Sequence, residues 1–134
     1  MEKLFVCVLL SVAMAGCVSS RNPERQIRLG QELYAANCAA CHGVAADGHG
    51  PIAAYLKMPV PDLTLIASRH GGAFPAEEIF RVIDGRATES PPSIRHMPIW
   101  GDEFFGNEAD DEVAHQHALD RVDRLVAYLE AIQR

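Results

Sequence analysis

The four cysteines constrain this chain more than any other feature, because their positions divide them into two unlike pairs. Cys7 and Cys17 lie in or directly after an uncharged apolar stretch near the start of the chain. The other two stand in the run Cys38-Ala39-Ala40-Cys41-His42. A chain of 134 residues, 49% of them apolar, is sized for one globular domain, and the second pair belongs to that domain.

The spacing Cys-x-x-Cys-His is the pattern of c-type haem attachment. Two thiols three residues apart on one turn can reach the two vinyl groups along one edge of a porphyrin. The adjacent His42 then directs its imidazole at the iron, while the small Ala39 and Ala40 leave room for the macrocycle. The pattern therefore predicts that Cys38 and Cys41 hold one haem c by thioether bonds and that His42 is an axial ligand of its iron.

Three other interpretations of the same pair are weaker. A zinc site needs further ligands, and the chain has no second Cys pair of this kind. A thioredoxin-like redox pair belongs beside a βαβ pattern, which the sequence does not show. A structural disulfide between Cys38 and Cys41 would make the position of His42 a coincidence.

The first 16 residues are predicted to be a signal peptide. Leu4 to Gly16 is uncharged and shorter than the roughly 20 residues that cross a membrane, and Lys3 precedes it. Met14-Ala15-Gly16-Cys17 resembles a bacterial lipobox, which predicts cleavage before Cys17 and its lipidation. Ordinary cleavage after Ala15, giving a soluble exported protein, is the alternative. Residues 17–22 would form a tether and residues 23–134 the folded domain.

From about Arg25 to its end the chain resembles the class I (monohaem) cytochromes c of bacteria. The resemblance rests on the run 38–43 and on Gly48-His49-Gly50-Pro51 after it. It implies an all-α fold whose first and last helices cross around a covalently bound haem. In that family a proline carbonyl of this loop accepts a hydrogen bond from the proximal histidine, and the matching position is Pro51.

The same resemblance implies a second axial ligand, usually a methionine followed by proline. Met97, in the stretch Arg95 to Gly101, matches the distal loop of the family and is the predicted ligand. Met58, which also precedes a proline, is the other methionine candidate, although core packing is the commoner role of a methionine. His96 would instead give bis-histidine ligation with a lower potential. An open site is the remaining possibility.

Four helical stretches are expected from capping residues and apolar periodicity: Asn22–Asn37, Asp62–Arg69, Pro75–Asp84 and Asp111–Gln133. In the class I family the first and last helices cross through a glycine and aromatic residues, a contact matched here by Gly30, Tyr34 and Tyr128. The resemblance assigns haem contact to a set of apolar residues, and a propionate bond to Arg69 or Trp100 is a further hypothesis. The set is Ile52, Leu56, Leu63, Ile66, Phe80, Ile83, Ile99 and Trp100.

The charge of the chain is unevenly distributed. With 12 Lys and Arg against 18 Asp and Glu, the net charge is −6, which disfavours a nucleic-acid partner. Residues 101–120 hold seven acids and no Lys or Arg. Asp110, Asp111 and Glu112 suit the positive end of the last helix, or the segment steers a basic partner protein. The seven acids are Asp102, Glu103, Glu108, Asp110, Asp111, Glu112 and Asp120.

These features together predict a one-electron carrier of the bacterial envelope, anchored by lipid on the periplasmic side of a membrane. Its redox partners would be a respiratory complex or a periplasmic dehydrogenase. The sequence shows no acid/base pair or nucleophile, so we do not expect an enzyme. Two alternatives remain: a ligand-binding or peroxidase-type haem protein with an open sixth site, and a fixed cytochrome subunit of a larger oxidoreductase.

Overall fold

This computed structural model describes residues 22–86, 97–106 and 111–134. The predicted signal peptide, the lipidation site Cys17 and the tether up to residue 21 lie outside the described residues. The alternative ligand His96 also lies outside them, as do two of the seven acids of the acidic segment.

Across these ranges the chain is helical and contains no strand, as the sequence predicts for an all-α protein. No described helix is long and apolar enough to cross a membrane. Two short 3-10 helices, Ala53–Tyr55 and Leu63–Leu65, complete the described elements. The α-helices are α1 (Pro23–Asn37), α2 (Ala39–His42), α3 (Ile66–Arg69), α4 (Ala76–Asp84), α5 (Trp100–Phe105) and α6 (Glu112–Ala131).

The two long helices begin where their capping residues predict. Asn22 caps α1 by accepting a hydrogen bond from the Arg25 backbone at 3.3 Å, and Pro23 occupies the first helical position. Asp111 caps α6 by accepting from the Val113 backbone at 2.8 Å. For Asp111, the helix-end interpretation of the acidic segment is therefore confirmed.

The crossing of α1 and α6 depends on a glycine. A Cβ atom on Gly30 would overlap the carbonyl oxygen of Arg124 and lie 2.8 Å from Cβ of Tyr128. The rings of Tyr34 and Tyr128 pack beside this point, with centroids 5.3 Å apart. Only a residue without a side chain allows the two backbones to approach this closely, and the predicted crossing is confirmed.

Helix α5 was not predicted from the sequence. It has only six residues, contains Gly101 and has no side-chain cap at its start. Packing determines its position instead, because a Cβ on Gly101 would overlap the carboxylate of Asp84. Asp84 is 7% exposed as a residue, and its carboxylate pairs with Arg86, whose Nη2 lies 2.7 Å from Asp84 Oδ1.

One histidine of α6, His115, packs against α5 and Arg86. His115 is half-buried, with its Nδ1 3.3 Å from Nη1 of Arg86. Its ring also meets the ring of Phe105 edge-on, with centroids 5.6 Å apart. His117, two residues further on, is exposed.

Candidate functional site

The two cysteines and the histidine lie on one tight helical turn. Cys38 ends α1 and caps α2, and the backbone N–H groups of Cys41 and His42 both donate to its carbonyl, at 3.1 and 2.9 Å. This turn gives the Cys-x-x-Cys-His run the local geometry that the sequence predicts. It ends at Gly43, whose φ of 82° suits a residue without a side chain.

The loop after His42 folds back onto the carbonyl groups of this turn. These carbonyls end a short helix and would otherwise lack donors. Gly50 is required at its position, because a Cβ there would overlap the carbonyl oxygens of Ala40 and Cys41. The three bonds run from Gly48 N to His42 O (2.9 Å), from Gly50 N to Cys41 O (3.1 Å) and from Ile52 N to Ala40 O (3.1 Å).

A buried hydroxyl ties the same turn to the helix crossing. Tyr34, 2% exposed, donates its hydroxyl to the carbonyl of Gly43 at 2.6 Å. Burial is the main reason that the pKa of Tyr34 is raised well above its usual range, so the phenol remains a neutral donor. The attachment turn is thereby fixed directly to the α1–α6 contact.

The His42 side chain is half-buried, with its Nδ1 atom buried, and it lines the same two cavities as Pro61. Burial lowers the pKa of His42 below its usual value, and the backbone of Pro61 opposes this as a hydrogen-bond acceptor. Among the described residues Nδ1 of His42 has no partner in full hydrogen-bond geometry. The resemblance implies this role for Pro51, which is exposed and lines neither cavity described below, whereas Pro61 lines both cavities with His42.

Two cavities meet at the attachment turn. The larger, about 470 Å³, lies in the roughly 300–1,000 Å³ range of cofactor sites. The smaller, about 120 Å³, is almost entirely apolar and reaches the core between α4 and α6. Residues that line both are Cys38, His42, Pro61, Val82, Met97 and Trp100.

The residues around these cavities fit a haem. The cavities offer apolar walls for a macrocycle and two thiols on one turn. The half-buried imidazole of His42, whose pKa is lowered, presents a neutral ring nitrogen, the form that binds a metal ion. Its Nδ1 is left for a hydrogen bond that would fix the ring.

Both methionine candidates line the larger cavity, but only Met97 also lines the smaller one. Met97 is half-buried and packs against the core, whereas Met58 is 54% exposed. Met97 and His42 therefore line the same two cavities, and the ligation of iron by both stays a prediction.

The alternative interpretations of the cysteine pair gain no support from the structure. Cys38 and Cys41 are not joined in a disulfide. Burial, followed by the charge of Cys41, raises the pKa of Cys38 to about 12, so its thiol stays protonated. In the parts of the chain that the structure describes, no three His, Cys, Asp or Glu residues cluster as a metal site would require.

Most of the apolar residues assigned to haem contact line a cavity, namely Leu56, Leu63, Ile66, Ile83 and Trp100. Phe80 packs against the core, and Ile52 is 42% exposed. Arg69 lines neither cavity and donates to the carbonyl of Asp62 at 2.7 Å. Sequence reasoning missed Val60 and Val82, because no periodic pattern distinguishes them from other apolar residues.

The helical frame, the Cys-x-x-Cys-His turn and the cavity beside it define a c-type cytochrome domain. The family model described as "Cytochrome C oxidase, cbb3-type, subunit III" matches residues 25–115, and the chain belongs to this family. Its cofactor is a covalently bound haem c with iron, and the domain is an electron-transfer unit. No curated protein and no solved structure matches the chain.

Proposed function

We propose that this protein is a one-electron carrier in which Cys38 and Cys41 hold the haem and His42 and Met97 complete the iron coordination. The observation that carries the proposal is that His42 and Met97 line the same two cavities. A site closed on both sides favours electron transfer over ligand binding, because no coordination position is left for an exogenous molecule.

The chemistry follows from what each residue contributes. The bound group supplies a ferric/ferrous couple that accepts or donates one electron. His42 contributes a neutral nitrogen, and the Pro61 carbonyl would hold its other ring N–H and so fix its orientation. The thioether of Met97 raises the potential relative to a second histidine. Apolar walls around these residues would limit access of water to the bound group, and the larger cavity opens toward the surface.

Carbon monoxide binding tests this proposal against an open-site protein. The reduced wild type should bind no carbon monoxide at concentrations that saturate open-site haem proteins, and should titrate reversibly as a one-electron couple. Met97→Ala should open the site and bind it readily, whereas Met58→Ala should behave as the wild type. Tight binding by the wild type, or sustained reduction of hydrogen peroxide, would instead support the ligand-binding or peroxidase alternative.

A fixed role in a larger oxidoreductase is the second candidate, favoured by the description of the matched family as an oxidase subunit. Mild detergent extraction followed by affinity purification separates the two. Stoichiometric recovery with oxidase subunits would support a fixed subunit. Recovery of the protein without oxidase subunits, in a form that still exchanges electrons in solution, would support a free carrier.

We also propose export to the periplasmic side of a bacterial membrane, with a lipid anchor on Cys17. The support is the apolar stretch from Leu4 to Gly16 and the lipobox-like run that ends at Cys17. Mass spectrometry of the mature chain should find a diacylglycerol group on Cys17. An unmodified chain that starts near Gly16 would indicate simple secretion.

A further inference from the structure

The wall segment (residues 61–67) is held to the end of α6 by one side chain. The Gln133 amide nitrogen donates to the carbonyl of Leu63 at 2.9 Å and to that of Leu129 at 2.6 Å. Its amide oxygen accepts from the backbone N–H of Ala67 at 2.8 Å. A single amide therefore joins the last turn of α6 to both halves of the wall segment.

Arg134 adds a second attachment to the same segment. Its backbone N–H donates to the carbonyl of Thr64 at 2.9 Å. Its guanidinium donates to the Thr64 hydroxyl at 2.9 and 2.6 Å and approaches the Asp62 carboxylate at 3.3 Å. Thr64 is 5% exposed, and its backbone N–H and its hydroxyl both donate to the Asp62 carboxylate. Arg134, Thr64 and Asp62 are therefore joined in one hydrogen-bond network.

The wall segment is also the side of the site that faces His42. Pro61 and His42 line both cavities together. Leu63 and Ile66 line the smaller cavity. The N–H of Leu63 donates to the carbonyl of Ala46 at 2.8 Å, which ties the segment to the loop after His42.

We propose that Gln133 is a positioning residue for the proximal iron ligand, with Arg134 as its support: together they set the position of the Pro61 carbonyl relative to the His42 ring. The proposal rests on the proposed ligation by His42. Gln133 touches neither cavity, so its effect on the iron passes through the wall segment. An acceptor on the ring N–H makes the imidazole a more basic ligand, which favours ferric iron.

Gln133→Met tests this, because methionine keeps the length and neutrality of glutamine and loses all three hydrogen bonds. The matched control is Gln31→Met, the same change at an exposed position of α1. Two properties of the haem-loaded proteins are measured: the midpoint potential, and the exchange rate of the His42 ring N–H by NMR. Gln133→Met should shift the potential upward and accelerate the exchange, while Gln31→Met should match the wild type in both.

A purely structural role for Gln133 would lower the melting temperature and leave the potential and the ring N–H exchange unchanged, and that result would overturn the proposal. If Gln133→Met does not accumulate with haem, Arg134→Met takes its place. We expect smaller shifts of the midpoint potential and of the ring N–H exchange rate, in the same directions. If Arg134→Met shifts neither, the proposal is overturned. The wild-type NMR spectrum distinguishes a failure of the proposed function from a failure of the role proposed for Gln133. Wild-type protein without histidine and methionine ligand signals contradicts that function, whereas normal ligation with an unshifted variant contradicts only the role of Gln133.

Discussion

At the scale of single residues, Tyr34 joins three parts of the molecule. It belongs to α1, its ring packs on Tyr128 of α6, and its hydroxyl holds the carbonyl of Gly43 at the end of the attachment turn. It also lines the smaller cavity. One buried side chain therefore transmits the geometry of the helix crossing to the turn that carries His42.

Removing that hydroxyl should cost a modest amount of stability. Tyr34→Phe deletes one buried hydrogen bond, and the Gly43 carbonyl keeps its second donor, Ala46 N–H at 3.1 Å. We therefore expect the free energy of unfolding to fall by about 1 kcal/mol, as measured by urea denaturation of the haem-loaded protein. Tyr55→Phe, at a residue 86% exposed, is the control and should change nothing. Equal effects of the two variants would contradict this role.

Single residues also mark where sequence reasoning reaches its limit at the site. The run from Cys38 to His42 could be interpreted directly, because its chemistry depends on spacing within one turn. The proline beside His42 could not: Pro61 is 19 residues along the chain from the histidine (61 minus 42), and only the folded path of the loop brings it there. The role proposed for Gln133 could not be predicted from the sequence for the same reason, because its partners Leu63 and Ala67 are distant along the chain.

At the scale of elements, α1, α4 and α6 have local signals and were predicted, whereas α5 lacks them and was not. α1 and α6 have capping side chains, and α4 ends at Gly85 in the left-handed conformation. α5 has no cap and contains a glycine, and the pair formed by Asp84 and Arg86 positions it from outside. Its existence is a tertiary effect that local propensity does not encode.

The helix crossing should not tolerate a side chain at position 30. Gly30→Leu places a branched side chain against the backbone of Arg124, so α1 and α6 must separate. We expect a loss above about 3 kcal/mol, beyond ordinary overpacking, and failure to accumulate stable haem-loaded protein. Ala35→Leu, at an exposed position of the same helix, should leave the melting curve near that of the wild type. An unchanged melting curve for Gly30→Leu would contradict the crossing.

The contact of α4 with α5 should depend on its buried ion pair. Arg86→Met leaves the carboxylate of Asp84 buried without its cation, which costs about 3 to 5 kcal/mol for pairs of this kind. Arg28→Met breaks the pair with Glu32, whose two side chains are 61% and 60% exposed, and should cost less than about 1 kcal/mol. Chemical denaturation measures both. A cost for Arg86→Met as small as that of Arg28→Met would show that the pair does not hold α5.

At the scale of the whole molecule, the net charge of −6 acts on an approaching redox partner at longer range than any contact. Part of the acidic segment serves the fold, since Asp111 caps α6 and Glu112 accepts from Gln116 at 3.0 Å. Asp102 and Glu103 are exposed at the start of α5, the helix whose first residue, Trp100, lines the haem cavities. We therefore expect these two carboxylates to act on a partner that approaches the site.

Electron-transfer rates should report this charge. Oxidation of the reduced protein by a cationic cobalt complex should slow as salt is added, and oxidation by the ferricyanide anion should accelerate. The double variant Asp102→Asn/Glu103→Gln should weaken the salt dependence of both reactions. The control is the double variant Glu24→Gln/Glu130→Gln, at exposed positions of α1 and α6, which should weaken the salt dependence less. A salt profile that is flat for both reagents would exclude electrostatic steering.

The axial ligation of the iron is the central claim, and the far-red absorbance of the oxidised protein tests it most directly. Iron–methionine ligation gives a weak charge-transfer band in that region. We predict that the wild type shows the band, that Met97→Ala abolishes it and that Met58→Ala retains it. Absence of the band from the wild type, or its survival in Met97→Ala, would contradict ligation by Met97 and with it the proposed closed site of an electron carrier.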